Sequence, residues 1–595
     1  MRLFVFLLFA SLASAQAPEQ TAPPTEAPKK ARIEGSVVSL TGEAIPRTQV
    51  RLNGSISVQN GQVTQGAAFT ATSGDDGKFA IENIDAGRNY QLSVQRPGFV
   101  PARYGARSAN SAGAPISLEA GQVLKGISIS MTPQGVISGR VTDQSGDPVQ
   151  GAMVAVMRKT YQRGSRQLQP QSTMSTNDQG EYRVANLAPG RYYVVVSGAR
   201  LGLPASSSKT ANVTTYYPNA PDPQGAAPVD ITPGSEVRGL DVRLRQGAVF
   251  SIRGKAVDAN GAPVIGTIVT SVPAGDQGGT NILSALNRAP SQTRAPEGTF
   301  EIPNLPPGTH VLQVLTNITL NGTPAPKMTG RLEVTVADSD VAGLIFPLSS
   351  GSIINGKVSL ENGDITKLLP PTPAGQQNQP AALTLVAGLA GFSVSGGTTL
   401  GMAIGLMDQT MGSTTPVQVK SDGTFTADGV AASKFQVQVG GLPLGHYVKS
   451  MTFGGTDVIK AGLDLTAGGG GALNIVLSGK AADVTGVVRP QKEESVAGVM
   501  VTLWPRDPQA GTQNNGMKQA TTDQNGGFTF SNLAPGVYYA AAWEDIETGL
   551  AQWRDFATLF TSDAGKLELA EGAHAATEIK LIPIAKIKAA EEKLP

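Results

Sequence analysis

A paired-turn motif that returns five times constrains this chain more than any other feature. Its clearest copy runs Asp178-Gln179-Gly180-Glu181-Tyr182, then Asn186-Leu187-Ala188-Pro189-Gly190-Arg191-Tyr192-Tyr193. Asp-x-Gly predicts a tight turn, because glycine accepts positive φ without a Cβ clash and the aspartate can bond the amides that follow. Tyr182 and Val184 then alternate with polar neighbours, the period of a strand with one buried face. Pro189-Gly190 predicts a second turn, with proline presetting φ and glycine in the left-handed position. Tyr192, Val194 and Val196 resume the alternation. The expectation is a β-hairpin.

The copies are Asp75-Asp76-Gly77-Lys78-Phe79 with Asn83 to Gly87, Gly298-Thr299-Phe300 with Asn304-Leu305-Pro306-Pro307-Gly308, and Asp523 to Phe528 with Asn532-Leu533-Ala534-Pro535-Gly536. A degenerate copy, Asp422-Gly423-Thr424-Phe425, lacks the Pro-Gly turn. An alternating run with a central glycine precedes each one: Ile33-x-Gly35-x-Val37, Ile137-x-Gly139-x-Val141, Ile252-x-Gly254-x-Ala256, Ile354-x-Gly356-x-Val358 and Val484-x-Gly486-x-Val488. Glycine inside a strand predicts a bulge or a close backbone approach. Another alternating run closes each unit, such as Ile127-Ser128-Ile129 or Ile579-Lys580-Leu581. The period, about a hundred residues, is a domain length and far beyond a solenoid repeat. The expected fold class is therefore all-β, a tandem array of about five Greek-key β-sandwiches. They are placed at 32–133, 134–247, 248–349, 350–479 and 480–585, with a short charged tail, 586–595, expected to fray.

These units resemble the carboxypeptidase regulatory-like family, a prealbumin-type (transthyretin-like) β-sandwich related to collagen-adhesin B-type repeats. The residues that carry the resemblance are the Ile-x-Gly-x-Val opening, the Asp-x-Gly-x-Phe/Tyr turn and Asn-Leu-x-Pro-Gly-x-Tyr. Tyr216-Tyr217-Pro218-Asn219, Gly441 to Ser450 and Ala541-Ala542-Trp543-Glu544-Asp545 are similar to stretches of exported acidobacterial multi-repeat proteins. The family takes its name from a domain appended to a peptidase; no peptidase module is recognisable here.

Arg2, the apolar run Leu3 to Ala13 and the small-x-small end Ala13-Ser14-Ala15 predict a signal peptide over 1–15. A Pro/Ala/Thr/Gln-rich linker, 16–31, follows. With no cysteine in the chain there is neither a disulfide nor a lipidation site, and sandwiches of this size can bury a core without staples. Lys and Arg total 47 against 46 Asp and Glu, scattered through every unit, which favours neither nucleic acid nor an anionic membrane surface. The fourth unit carries an apolar insertion, 381–407. Its short apolar groups and frequent Gly and Thr point to strands and a loop, with a spanning helix as the alternative.

No constellation predicts catalysis, a metal or a cofactor. The three histidines, His310, His446 and His574, fall in three different units without metal-ligand spacing. His310 stands where other copies have Tyr192 and Tyr538, which makes it a core or rim residue. Asp143 to Asp147, Asn177 to Gly180 and Asp523 to Gly526 resemble fragments of calcium loops, yet lack the distal bidentate Glu. Some relatives form a Lys–Asn isopeptide bond; Lys255 and Lys357 lie on opening strands, but Asn474 in the fourth unit is the one candidate Asn and no acid is placed, so free surface lysines are expected.

Outer strand faces offer one further signal. In the first unit Asn89, Gln91, Ser93 and Gln95 alternate with the inward residues and are all polar; Lys434, Gln436 and Gln438 do the same in the fourth. In the second and fifth units Tyr193, Val195, Tyr539 and Trp543 fall on that outer face. Such a stripe marks a contact surface. Either a neighbouring domain or loop of the same chain covers it, or it is a ligand platform on which Trp504 and Trp553 join Trp543. The functional expectation is an exported, non-enzymatic binding or structural module (scaffold or adhesion), periplasmic, outer-envelope-associated or extracellular. Its partner would be an envelope protein or a polysaccharide. A carbohydrate-binding protein using exposed aromatics is the alternative, and an accessory to a peptidase the third reading.

Overall fold

The computed structural model describes residues 29–594 except 55–56, 60–61, 65, 110, 163, 198–208, 275–290, 316–318, 321–322, 325–327, 370–401, 410–413 and 491–494. The expected signal peptide, most of the linker and the insertion up to residue 401 lie outside the described residues. Beyond them, Ala403–Asp408 is a β-strand, paired on both sides. No helix among the described residues is long and apolar enough to cross a membrane.

Each unit is a β-sandwich built on one plan. In the first, the opening strand Ala31–Ser39 lies between the closing strand Val123–Met131, parallel to it, and the antiparallel Lys78–Ile84. The facing sheet sets Gln49–Asn53 between Ala68–Thr72 and Gly87–Gln95. The third unit repeats this with Phe250–Val257 between Thr299–Leu305 and the parallel Val341–Pro347. The fourth extends its first sheet by Tyr447–Phe453, which covers the edge of the closing strand Ala472–Ser478. In the fifth, the closing strand His574–Ile582 runs parallel to Ala482–Arg489 and, at its end, to Gly536–Trp543, joining the two layers along one side. Five apolar clusters fill the five sandwiches, one each.

The strand glycines make the expected close approach, and at Gly35 and Gly254 the pairing with the closing strand also shifts register. Gly35, Gly139, Gly254, Gly356 and Gly486 each lie directly opposite the aromatic residue of the following turn: Phe79, Tyr182, Phe300, Phe425 and Phe528. The ring folds over the bare backbone. A Cβ on Gly356 would fall 2.1 Å from the Phe425 ring and 2.4 Å from the Leu473 carbonyl oxygen. The aromatic and the glycine are thus one packing unit written in two places in the sequence.

The repeated motif is not a hairpin. Glu181–Leu187 pairs with Gly135–Thr142 in one sheet, whereas Gly190–Ser197 pairs with Met153–Gln162 in the other. The remaining units do likewise, so the Pro-Gly connection is an arch that carries the chain across the core. Tyr182 and Val184 therefore meet Tyr192, Val194 and Val196 face to face inside one cluster. Alternation specifies that each strand buries one face, and an arch satisfies that as well as a hairpin does.

Two devices fix the arch. The left-handed position belongs to asparagine (φ 60° at Asn83, 59° at Asn186, 58° at Asn304 and Asn532), as well as to Gly190 at 152°. A side chain two residues beyond the glycine then donates to a carbonyl inside the bend. Tyr192 Oη reaches the Ala188 oxygen at 2.6 Å and Tyr538 Oη the Ala534 oxygen at 2.9 Å. In the first unit Tyr90, three residues beyond Gly87, donates to the Asp85 carbonyl in the same way. His310 does the same with Nε2, 2.8 Å from the Pro306 oxygen. A carbonyl only accepts, so that nitrogen carries the proton and Nδ1 faces Ser271 Oγ at 3.4 Å as the acceptor. His310 is a structural replacement for tyrosine.

Candidate interaction site on the fifth unit

Besides the five sandwich cores, two further apolar clusters lie on outer faces, in the second and fifth units. In the second unit, Tyr193 and Val195 are buried with Met157 and Leu168 beneath Tyr216 and Ala220 of the same chain's return segment. Tyr216 pairs with Val195, and Lys159 Nζ lies 4.9 Å from the Tyr193 ring centre. A loop covers this stripe.

In the fifth unit the cover is helical. Thr548–Ala551, Arg554–Thr558 and Ile584–Glu591 bring Leu550, Ala551, Phe556, Phe560 and Ile587 onto the outer face of Met500–Pro505 and Gly536–Trp543. Trp543 is 0% exposed; its indole N–H donates to Thr502 Oγ1 at 2.9 Å, and its ring meets Phe560 edge-on at 5.0 Å. Trp504 is 1% exposed and stacks at 6.0 Å on the half-buried Tyr539. Rings closed off in this way present no face to a sugar, so the platform of Trp504 and Trp543 is corrected to a second core. The tail, expected to fray, is one of its walls: Ile587 is buried, and Glu544 accepts from the Ile584 amide at 2.6 Å.

Trp553 is half-buried for another reason. Its ring stacks at 6.2 Å on Tyr161, which belongs to the second unit. Tyr161 stands near the tip of a long hairpin, Met153–Gln162 with Ser165–Ser175, that reaches out of the second sandwich. Its amide donates to Glu547 Oε1 at 2.6 Å, and Arg166 beside it pairs with Glu591 at 3.5 Å. Burial pushes the Glu547 carboxyl up, against the pull of the Tyr161 amide.

The fifth unit meets two more. Towards the first, Gln524 acts as a strand edge in miniature: its side-chain amide accepts from the Ser117 amide at 3.1 Å and donates to the Ser117 carbonyl at 2.8 Å. Arg107 donates to the carbonyls of Glu544, at 3.1 Å, and Ser495. Towards the fourth, Asn532, the arch asparagine, accepts from the Gly445 amide at 2.9 Å and donates to Pro443 O at 3.1 Å. Glu571 takes the Tyr447 hydroxyl at 2.9 Å and Lys449 at 3.3 Å. Both turns of the fifth copy of the repeat are thereby docking elements. Nothing in their sequence marks this, because their partners are distant in the chain.

Lys518 Nζ donates to the carbonyls of Ser531 and Asn532 at 2.7 and 2.9 Å, and burial lowers its pKa to about 8. His574 Nδ1 lies 3.5 Å from Asp483 Oδ2 at the surface. Among the described residues no group of three His, Cys, Asp or Glu side chains is placed to hold a metal. The Asp523 carboxylate instead takes the amides of Asn525 and Gly527 at 2.9 and 2.8 Å, an ordinary Asx turn. Lys357 and Asn474 do stand opposite each other on adjacent strands, but both are exposed.

A family model described as the carboxypeptidase regulatory-like domain matches residues 32–132 and 136–244. A search of curated proteins gives no match. Solved structures with similarity include the Bacillus anthracis TIE protein (9% identity, 95% of this chain, 76% of that one, TM-score 0.15). A streptococcal ancillary pilin matches at 13% identity over 54% of this chain and 99% of its own, TM-score 0.18. The minor pilin GBS52 of Streptococcus agalactiae matches at 14% over 36% and 95%, TM-score 0.20. At these scores the likeness carries no argument.

Proposed function

We propose that this chain, which carries carboxypeptidase regulatory-like domains at 32–132 and 136–244, is an exported, non-enzymatic structural module that holds an envelope partner at a distance. The observation that supports it is the use made of aromatic surface. Trp504, Trp543 and Tyr193 are all within 8% exposure and turned to internal packing, while the outer faces of the first and fourth units are polar. The carbohydrate reading rested on those rings being open, and their burial withdraws its main support. A scaffold needs no such face: it needs rigid units and defined joints. Export rests on the sequence of residues 1–15.

The test is to express the full chain and fractionate the cells. Processed protein beginning near Gln16, outside the cytoplasm, is expected; soluble protein retaining Met1 overturns export. Pull-down and a glycan array on the same material separate the partners. Retention of an envelope protein with no glycan bound supports the scaffold, and specific retention on a polysaccharide overturns it.

A further inference from the structure

Three glycines of the fifth unit stand at its three joints. A Cβ built on Gly498 would lie 1.8 Å from the carbonyl oxygen of Gly105 in the first unit. One on Gly549 would lie 1.8 Å from the Tyr161 carbonyl oxygen in the second, and one on Gly511 1.6 Å from that of Val458 in the fourth. These approaches are tighter than those of the strand glycines, and real Cβ atoms are not found so near a backbone oxygen. Gly511 is also hydrogen-bonded across its joint, donating to Ile459 O at 2.9 Å and accepting from the Val437 amide at 2.8 Å. Each joint carries further polar contacts: Arg107 and Gln524 towards the first unit, Tyr161 with Glu547 towards the second, and Asn532, Glu571 and the Gln436 side chain, which donates to Ala510 O at 3.3 Å, towards the fourth.

We infer that the fifth unit is a keystone: it docks on the first, second and fourth units at once, and the chain acts as one closed body with the third unit spanning the gap. The inference is independent of export and of any partner. It follows from backbone-to-backbone contact at three places. Two surfaces that touch only through side chains adjust to one another, whereas a glycine pressed on a carbonyl has a single seating. Because all four units belong to one chain, each docking raises the effective concentration for the next, so the joints close cooperatively. Gly549 and Gly511 are the informative positions. Neither needs positive φ, and Gly549 lies in the short helix Thr548–Ala551, where alanine would by itself be favourable.

The absence of cysteine makes the test clean, since any introduced pair is the sole pair. Spin labels on the full chain at Leu40→Cys with Leu559→Cys report the first against the fifth unit, and Ile353→Cys with Leu559→Cys the fourth against the fifth; all three positions are exposed. Each pair is expected to give one narrow distance. Gly511→Ala should abolish the narrow Ile353–Leu559 distance. Gly498→Ala combined with Gly549→Ala should abolish the Leu40–Leu559 one, with Trp504 and Trp543 still shielded from quencher as proof that the fifth core is intact and only Trp553, which stacks on Tyr161 across the joint, newly exposed. If an alanine variant fails to fold, Arg107→Ala with Gln524→Ala, which touches only the joint, replaces it. Broad distances in the parent, or narrow ones that survive in folded variants, overturn the inference.

Discussion

The strands Gly87–Gln95 of the first unit and Gly536–Trp543 of the fifth hold the same place in the same sandwich, yet their outer faces have opposite fates. Asn89 and Gln91 stand in water, while Tyr539, Ala541 and Trp543 lie under three helices. The inner faces barely differ: Tyr90 and Tyr538 are both buried and both donate to an arch carbonyl. Repetition therefore conserves the inside of each unit, and the individuality of a unit is written on its outside. An apolar outer stripe predicts that something covers it, and here the cover is a segment of the same chain.

The largest effect should come from removing the buried ring. Trp543→Ala is expected to cost about 3–5 kcal/mol, as for other fully buried large side chains. The readout is denaturant unfolding followed by fluorescence, which reports this unit alone because Trp504, Trp543 and Trp553 are the chain's only tryptophans. A parent-like midpoint would mean that the helical cover is not a core.

A second difference between the two units is the half-buried Lys518. Its folded pKa of about 8 lies below the ordinary lysine value, so the unfolded chain binds more protons between about pH 8 and 10.4. Stability of the fifth unit should rise across that window by up to about 3 kcal/mol and stay flat just below it. Above about pH 10 the buried Tyr538, pushed up to about 12, opposes the rise: the unfolded tyrosine loses its proton first. Lys518→Met should erase the increase between pH 8 and 10. An unchanged profile would show that the amine is hydrated.

The arch hydroxyl is worth less. Tyr192→Phe leaves the Ala188 carbonyl without its 2.6 Å partner and should cost about 1 kcal/mol, while Tyr192→Ala should cost about 3–5 kcal/mol. Equal losses in the two variants, measured by calorimetry of the full chain, would contradict the capping role. Smallest of all, Gln91→Ala on the polar face of the first unit should change stability by under about 0.5 kcal/mol. A larger loss would mean that this face too is covered.

The sandwich class and the inward residues were legible because each is a local pattern of period two, and the strand glycines announced a close approach without naming the aromatic that makes it. The arch was not, since alternation records which face of a strand is buried and is silent about which sheet the strand joins. The outer stripe was legible as a surface needing a cover. The identity of the cover was not: Phe556 lies in a five-residue helix and Phe560 in the turn after it, too short for periodicity, and Ile587 sits in a charged tail. Tyr161 was least legible of all. Its partners Glu547 and Trp553 lie almost four hundred residues on, and only the fold brings them together.

The parallel pairing of opening and closing strands has a mechanical consequence. Ala31–Ser39 with Val123–Met131, Phe250–Val257 with Val341–Pro347, and Ala482–Arg489 with His574–Ile582 each run side by side in the same direction. The chain thus enters a unit at one end of this pair and leaves at the other. Tension applied along the chain loads the ladder between the two strands lengthwise, and every hydrogen bond in it shares the force. An antiparallel first and last pair would be peeled open from one end, one bond after another. Each such unit resists extension by gripping along the whole length of its ladder.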